Sequence, residues 1–401
     1  MLSSHALPVD QLSAPATESQ DAMPSSPPVT LTDTAQVPSV DDRIYFTGSG
    51  KEYFRIWIIN LCLSLLTLGV YSAWAKVRRL KYFDQNTVYA GAVFNFHGRP
   101  EVILRGRIIS VIFLFFYHYV YGLSKMSAIL IAVALLFMLP LMLRGALRFR
   151  LQNTSYRGIR FQFHGSRMRA YLVYLPVVVI FLLPGLVTVL YPRRTTLLIY
   201  AFLPYLSWPW LYAGMKRYQN GNFAYGRLRS ATTLGWTSFV WPFVAAVLVM
   251  LLAVFIIGLV TAVTVDGSQI FAKDKVAFAS VLMAIIGGLT TAYIVYLILG
   301  PALQISLWNR LWNSTSLQGV QIQSVLPMQA YIKLQTKNFF LTMLSLGLYR
   351  PFAVVAAYRF RLEHMQLTVA SFEAAGAAAD GQRSTATADA SADMFGFDLS
   401  W

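Results

Sequence analysis

The strings FNFHG (94–98) and FQFHG (161–165) are nearly the same five letters, each placed just outside a long apolar run. Alternation puts Phe94 and Phe96, and likewise Phe161 and Phe163, on one face of a short strand, with Asn95 or Gln162 on the other. A longer register surrounds them. WAKVRRLKY (74–82), LMLRGALRF (141–149), WLYAGMKRY (210–218) and FAVVAAYRF (352–360) align without gaps, and each ends in a basic residue and an aromatic. Three follow a proline (Pro140, Pro209, Pro351), and a fainter copy runs from Pro301 to Arg310. Downstream, Thr or Asn precedes a glycine by four positions: Thr87 and Gly91, Thr154 and Gly158, Asn222 and Gly226, Thr315 and Gly319. The spacing predicts a repeat of strand, turn, helix down, helix back, turn and strand, with these glycines in the turns.

Hydrophobic residues make up 56% of the chain and charged residues 12%, a membrane composition. Apolar stretches long enough to cross hydrocarbon are expected near 102–123, 127–147, 171–191, 195–216, 236–264 and 276–305. Pro140, Pro184 and Pro204 interrupt them. The expected fold is therefore an all-α polytopic membrane protein. Residues 42–368 would form about five helical-hairpin repeats joined by short cytoplasmic β-strand and turn elements. Residues 1–40 and 371–401, rich in small and polar residues, read as disordered tails, and the first lacks the apolar core of a signal peptide.

The net charge of +16 is spread over the connections between spans, which makes it a topology signal and argues against a nucleic-acid partner. Basic residues crowd 76–107, 144–169, 216–229 and 310–337, while the opposite connections are poorer, apart from Arg193 and Arg194. The basic side is expected to be cytoplasmic, with both termini there. Residues 53–82 and 331–360 align with each other at a constant offset, and each is cut by a Leu-Gly-x-Tyr turn. The first half, 54–67, would reach only ~21 Å as a helix, so both are expected to be re-entrant or interfacial hairpins, the rival being eight full spans with external tails.

The stretch 53–82 and the following NTVYAGAVFNFHG resemble the YjgN-like family of bacterial inner-membrane proteins, whose mark is a TLGxYxPW-type stretch after a GxGxxYF start. Gly48, Gly50, Tyr53, Phe54, Thr67, Leu68, Gly69, Tyr71 and Trp74 match; Ala73 stands where Pro is expected, and the later copy has Pro351. The resemblance covers roughly 44–368. It implies an inner-membrane location and brings no catalytic residues with it.

Little chemistry is visible. GSGK (48–51) fails as a phosphate loop, because Tyr45 holds the place of the first glycine and Glu52 follows the lysine. The single cysteine, Cys62, rules out an intramolecular disulfide. His97 and His164 occupy equivalent places and are the weak metal candidates, although a zinc site needs three or four ligands. Between Asp84 and Glu363 the only acids are Glu101, Asp266 and Asp274, so no expected span carries a carboxylate and a proton or cation pump is disfavoured. What remains is cationic. Arg105, Arg107, Arg144, Arg148, Arg167, Arg169, Arg227 and Arg229 are the candidate binding residues, against the plainer reading that they fix topology. A passive or anion-selective transporter using this cluster is the leading expectation, with an anionic-lipid-binding, membrane-organising protein as the alternative. No catalytic constellation or cofactor motif is seen, so membrane lipids are the expected partners. Oligomeric state is not legible.

Overall fold

The computed structural model describes residues 43–120, 123–264 and 275–369. All belong to one compact unit, Val40–Trp401. The expectations for the two tails fall outside the described residues. Five times along the chain a strand is followed by two helical segments and a second strand. The first unit is β1 (Ile44–Phe46), α1 (Gly50–Leu66), α2 (Ser72–Gln85) and β2 (Thr87–Tyr89); the second is β3 (Ala92–Phe96), α3 (Pro100–Val120), α4 (Lys125–Gln152) and β4 (Thr154–Tyr156). The third runs β5 (Ile159–Phe163), α5 (Arg167–Leu190), α6 (Thr195–Phe202), a 3-10 turn Leu203–Ser207, α7 (Trp208–Asn220) and β6 (Phe223–Tyr225). The fourth is β7 (Leu228–Thr232), α8 (Val240–Thr264), α9 (Lys275–Asn313) and β8 (Thr315–Leu317). The fifth is β9 (Val320–Ser324), α10 (Met328–Leu344), α11 (Arg350–Glu363) and β10 (Met365–Val369).

The expectation of an all-α fold is corrected here. The strands are not separate linkers but one antiparallel sheet of ten, in chain order from β1 to β10. A bridge between Arg43 and Gln366 brings its two edges together, so the sheet is a nearly closed barrel. Strands of three to five residues read as linkers because five of the nine strand pairings are non-local. Phe94 pairs with Tyr156 across an entire helical hairpin, for example, and Phe161 with Tyr225. Two-residue turns make the remaining pairings, and Gly91 and Gly158 follow Ala90 and Arg157 in left-handed backbone, at φ +73° and +81°. All the hairpin turns therefore lie at one end of the barrel, together with the entry at Arg43 and the exit at Val369, and all the helices leave from the other end.

The barrel is filled with aromatic rings. Tyr89, Phe94, Tyr156, Phe161 and Tyr225 pack with Ile44 and Leu367 in its interior, while Tyr45, Val93, Arg160 and Arg229 alternate outward and are exposed. Phe94 lies 4.8 Å from Tyr156, and Phe161 lies 5.1 Å from Tyr225, between ring centroids. The tyrosine hydroxyls donate around the ring: Tyr225 to the Tyr156 carbonyl (3.0 Å) and Tyr156 to the Tyr89 carbonyl (2.8 Å). Tyr89 lies at 3.5 Å from the Leu367 carbonyl, across the seam between the first and last units.

The repeated pentapeptide has a structural explanation. After the first strand of each unit, one N–H donates to the carbonyl of the residue that ends the returning helix. The pairs are Thr47 to Asn86 (2.9 Å), His97 to Asn153 (2.7 Å), His164 to Asn222 (2.8 Å), Thr233 to Ser314 (2.9 Å) and Val325 to His364 (3.1 Å). Asn86, Asn153 and Asn222 in turn donate their side-chain amides to the carbonyl four residues back, each at 2.8 Å, satisfying a helix end. The following glycine makes room for the ring before it: a Cβ at Gly98 would lie 2.5 Å from the Phe96 ring, and one at Gly165 2.6 Å from Phe163 and from the Tyr218 hydroxyl. In the first unit the GSGK serine is the N-cap of α1, exchanging hydrogen bonds with Glu52.

Four helices are long and apolar enough to cross a membrane among the described residues, Lys125–Gln152, Arg167–Leu190, Val240–Leu259 and Ile285–Asn313, against six expected spans. The span expected at 195–216 is broken into α6, the 3-10 turn and α7, where Pro204 and Pro209 cannot donate to an α-helical ladder. The span expected at 102–123 lies in α3, a helix of 21 residues carrying Arg105 and Arg107; residues 121 and 122 fall outside the described ones.

Replacing Gly98 or Gly165 by Ala is expected to cost about 1–3 kcal/mol by overpacking, read as a lowered unfolding temperature in detergent. Gly258→Ala, where nothing lies within 4 Å, is the control and should be neutral or stabilising.

Candidate functional site

Two positive clusters form on the outer wall of the barrel. Around His97 stand Lys81 of α2 and Arg160 of β5, and around His164 stand Arg148 of α4 and Arg229 of β7. Burial and these neighbouring cations hold both imidazoles below the ordinary 6.5, so they remain neutral where a free histidine begins to charge. No cluster of three or more His, Cys, Asp or Glu side chains suited to a metal exists among the described residues. His97 Nε2 lies 2.8 Å from Ser155 Oγ, tying the end of one strand to its neighbour.

The candidate arginines separate into groups. Arg148 and Arg229 stand at the His164 cluster. Arg144 Nε donates to the Gly165 carbonyl at 2.7 Å, bracing the pentapeptide. Arg167 and Arg169 are exposed in the first turn of α5, where Ser166 caps the helix. Cations there oppose the helix dipole, so helix stability does not account for them. Arg105 is exposed on α3, while Arg107 bonds the Ser72 hydroxyl at the start of α2. Arg227 sits in the β6–β7 turn, at the end of the barrel away from the helices, two residues before Arg229 and apart from the candidates on the helices.

Sequence reasoning missed a pair at the base of the barrel. Asp84, with its side chain 7% exposed, meets Arg150 at 3.1 Å, and Arg150 also lies over the Phe96 ring at 5.3 Å. Burial raises the Asp84 carboxyl above its ordinary value, and Arg150 and the Thr154 hydroxyl oppose that rise. Arg150 Nη1 is buried without a hydrogen-bond partner. A usable signal existed: Arg150 immediately follows its nonapeptide, and Asp84 lies two positions beyond its own. The barrel brings these neighbouring repeat positions together.

Residues 41–394 match a family described as bacterial protein of unknown function (DUF898). The chain belongs to that family. It is also similar to curated proteins named "Inner membrane protein YjgN". The one from Escherichia coli O157:H7 is 31% identical over 129 residues, covering 30% of this chain and 31% of the relative. The one from Salmonella typhimurium is 30% identical over 161 residues, covering 37% and 38%. The chain thus spans about a third of the length of the curated relatives it matches. No solved structure matches. Together with the apolar helices, these likenesses make the chain an integral inner-membrane protein. Neither the family description nor these names assign a reaction.

Two outcomes follow from this site. Asp84→Ala should destabilise by about 1–3 kcal/mol, because it leaves the Arg150 guanidinium without its counter-ion, and adding Arg150→Met should recover part of the loss in thermal unfolding. The lowered histidines bind protons less readily folded than unfolded, so stability should fall as pH drops from the ordinary 6.5 through their folded values. Unfolding curves of His97→Gln/His164→Gln across that window should show a smaller acid loss than wild type.

Proposed function

We propose that this protein binds anionic lipid at the inner leaflet and organises the membrane there, with the barrel on the cytoplasmic side. The observation that carries the reading is the collar of exposed cations where barrel meets helices, Lys81, Arg99, Arg167 and Arg169 among them. Juxtamembrane cations attract anionic headgroups with about 1 kcal/mol per residue. A second feature agrees with it. The α1–α2 and α10–α11 hairpins end in apolar tips, where Leu68 and Leu346 are 96% and 95% exposed. The bond from Arg107 to Ser72 sets the first tip beside a point only ~10 Å along α3, which suits hairpins that enter one leaflet without crossing. We read the five units as copies of one ancestral pair of helices.

Transport through the barrel is the less favoured reading, because rings occupy the interior. The test reconstitutes the full chain in vesicles of phosphatidylcholine with phosphatidylglycerol, and measures lipid retained after purification beside anion flux. Phosphatidylglycerol should be enriched, and Arg167→Glu/Arg169→Glu should lower the enrichment about fivefold or more per charge removed. Flux above that of empty vesicles, lost in the same variant, would overturn the proposal in favour of a transporter.

A further inference from the structure

An amphipathic groove runs between α9, the last helix of the fourth unit, and the α10–α11 hairpin of the fifth. One part is a cleft of about 370 Å³ that includes Gln304, Gln335, Asn338 and Arg350 among its lining residues. The adjoining part, about 420 Å³, is lined by Tyr293, Met343, Leu346 and Gly347. Phe339 and Thr342 border both, so polar and apolar halves form one continuous surface.

Each half has the chemistry of one part of a lipid. Arg350 is exposed at the start of α11, and its guanidinium makes no hydrogen bond or ion pair among the described residues. It directly follows an apolar tip in which Leu344 and Leu346 are 81% and 95% exposed. A cation beside side chains destined for hydrocarbon is costly, and an anion brought to it by a molecule with its own apolar tail relieves that cost. The polar wall is held in place from behind. Arg361 donates to the Tyr331 hydroxyl at 2.5 Å and to Gln304 Oε1 at 3.4 Å, and Gln335 Nε2 donates to the same hydroxyl at 2.9 Å. Arg361 is itself seated over the Trp308 ring at 5.2 Å. On α9, Pro301 has no N–H to offer the carbonyl of Leu297, so an acceptor without its helical partner belongs to a residue that lines the same cleft as the cation.

We propose that this groove holds one glycerophospholipid molecule, its phosphate on Arg350 and a headgroup hydroxyl or ammonium at the Leu297 carbonyl, with an acyl chain along Phe339, Met343 and Leu346. The site rests on the lipid-binding reading but is separate from the basic collar, and it is selective for one bound molecule where the collar acts on the leaflet as a whole.

The test is photocrosslinking of the purified full chain by phosphatidylglycerol carrying a diazirine in its acyl chain, with adducts mapped by peptide mass spectrometry. Adducts are expected in residues 289–304 and 339–347. Arg350→Glu should cut their yield about fivefold or more, as for the loss of one lipid-facing cation, while Arg350→Lys keeps most of it. Gln335→Leu, which leaves the cation in place, should weaken capture by a smaller factor. Unchanged yield in Arg350→Glu would exclude the site. Displacement of the probe by excess inorganic phosphate would also overturn it, by assigning the cleft to a small phosphorylated solute. Arg167→Glu/Arg169→Glu should leave these adducts intact, so loss of collar enrichment and loss of groove capture are read independently.

Discussion

One main-chain hydrogen bond, made once per unit, holds the architecture. The residue leaving each first strand donates to the carbonyl that ends the returning helix, so every helical pair is clipped at its base before it extends away from the barrel. The bond does two things at once. It satisfies a carbonyl that the helix cannot use itself, and it fixes the two paired strands at a separation that the next unit can continue. Side chains around the clip then follow from available space. Phe96 and Phe163 fold over Gly98 and Gly165 because any Cβ would occupy the ring position.

A ring of such clips creates a problem of closure. An open sheet of ten short strands would leave two edges of unpaired N–H and C=O groups, which invites pairing with other chains. Here, among the described residues, the sheet contributes a single bridge at the seam, Arg43 with Gln366. The helices do the rest. Tyr358 of α11 lies 5.2 Å from Phe46 and 4.7 Å from Phe83, Arg359 donates to the Gly48 carbonyl at 2.7 Å, and Phe54 stacks on Phe352 at 5.6 Å. The first and last units therefore meet mainly through buried aromatic surface. Their hairpins are the two short ones, and they also align with each other in sequence.

This explains what could be read in advance and what could not. The register of strand, helix, helix and strand is local, and the pentapeptides, the turn glycines and the Leu-Gly-x-Tyr tips all announce it. Barrel formation is not local. Pairing of Phe161 with Tyr225 depends on where a helical hairpin returns, which no periodicity in strands this short records. The same limit hid Asp84 and Arg150, whose meeting requires neighbouring units to be wrapped side by side. Counting arginines by their distance from apolar runs grouped Arg227 with Arg148, although a strand separates a turn at one end of the barrel from a helix terminus at the other. The breaks at Pro204 and Pro209 were visible as residues, but their effect on 195–216 depended on the surroundings accepting a 3-10 turn there.

The helices beyond the barrel bear on function in a different way. In the Val240–Leu259 span only 6% of the most apolar window is buried within the protein, and in the Ile285–Asn313 span none of it is. Between lipid-facing helices there is no hydrophobic drive comparable to that in water, so side chains this uncovered are satisfied equally well by acyl chains. A solute pathway needs polar groups facing one another across an enclosed space, held there by helix packing. In this fold the tight packing lies in the barrel, where aromatic rings occupy the interior, and the polar and cationic groups lie mainly outside it, on the wall and at the helix bases. That arrangement favours the proposed action on headgroups around the protein over a solute path through it.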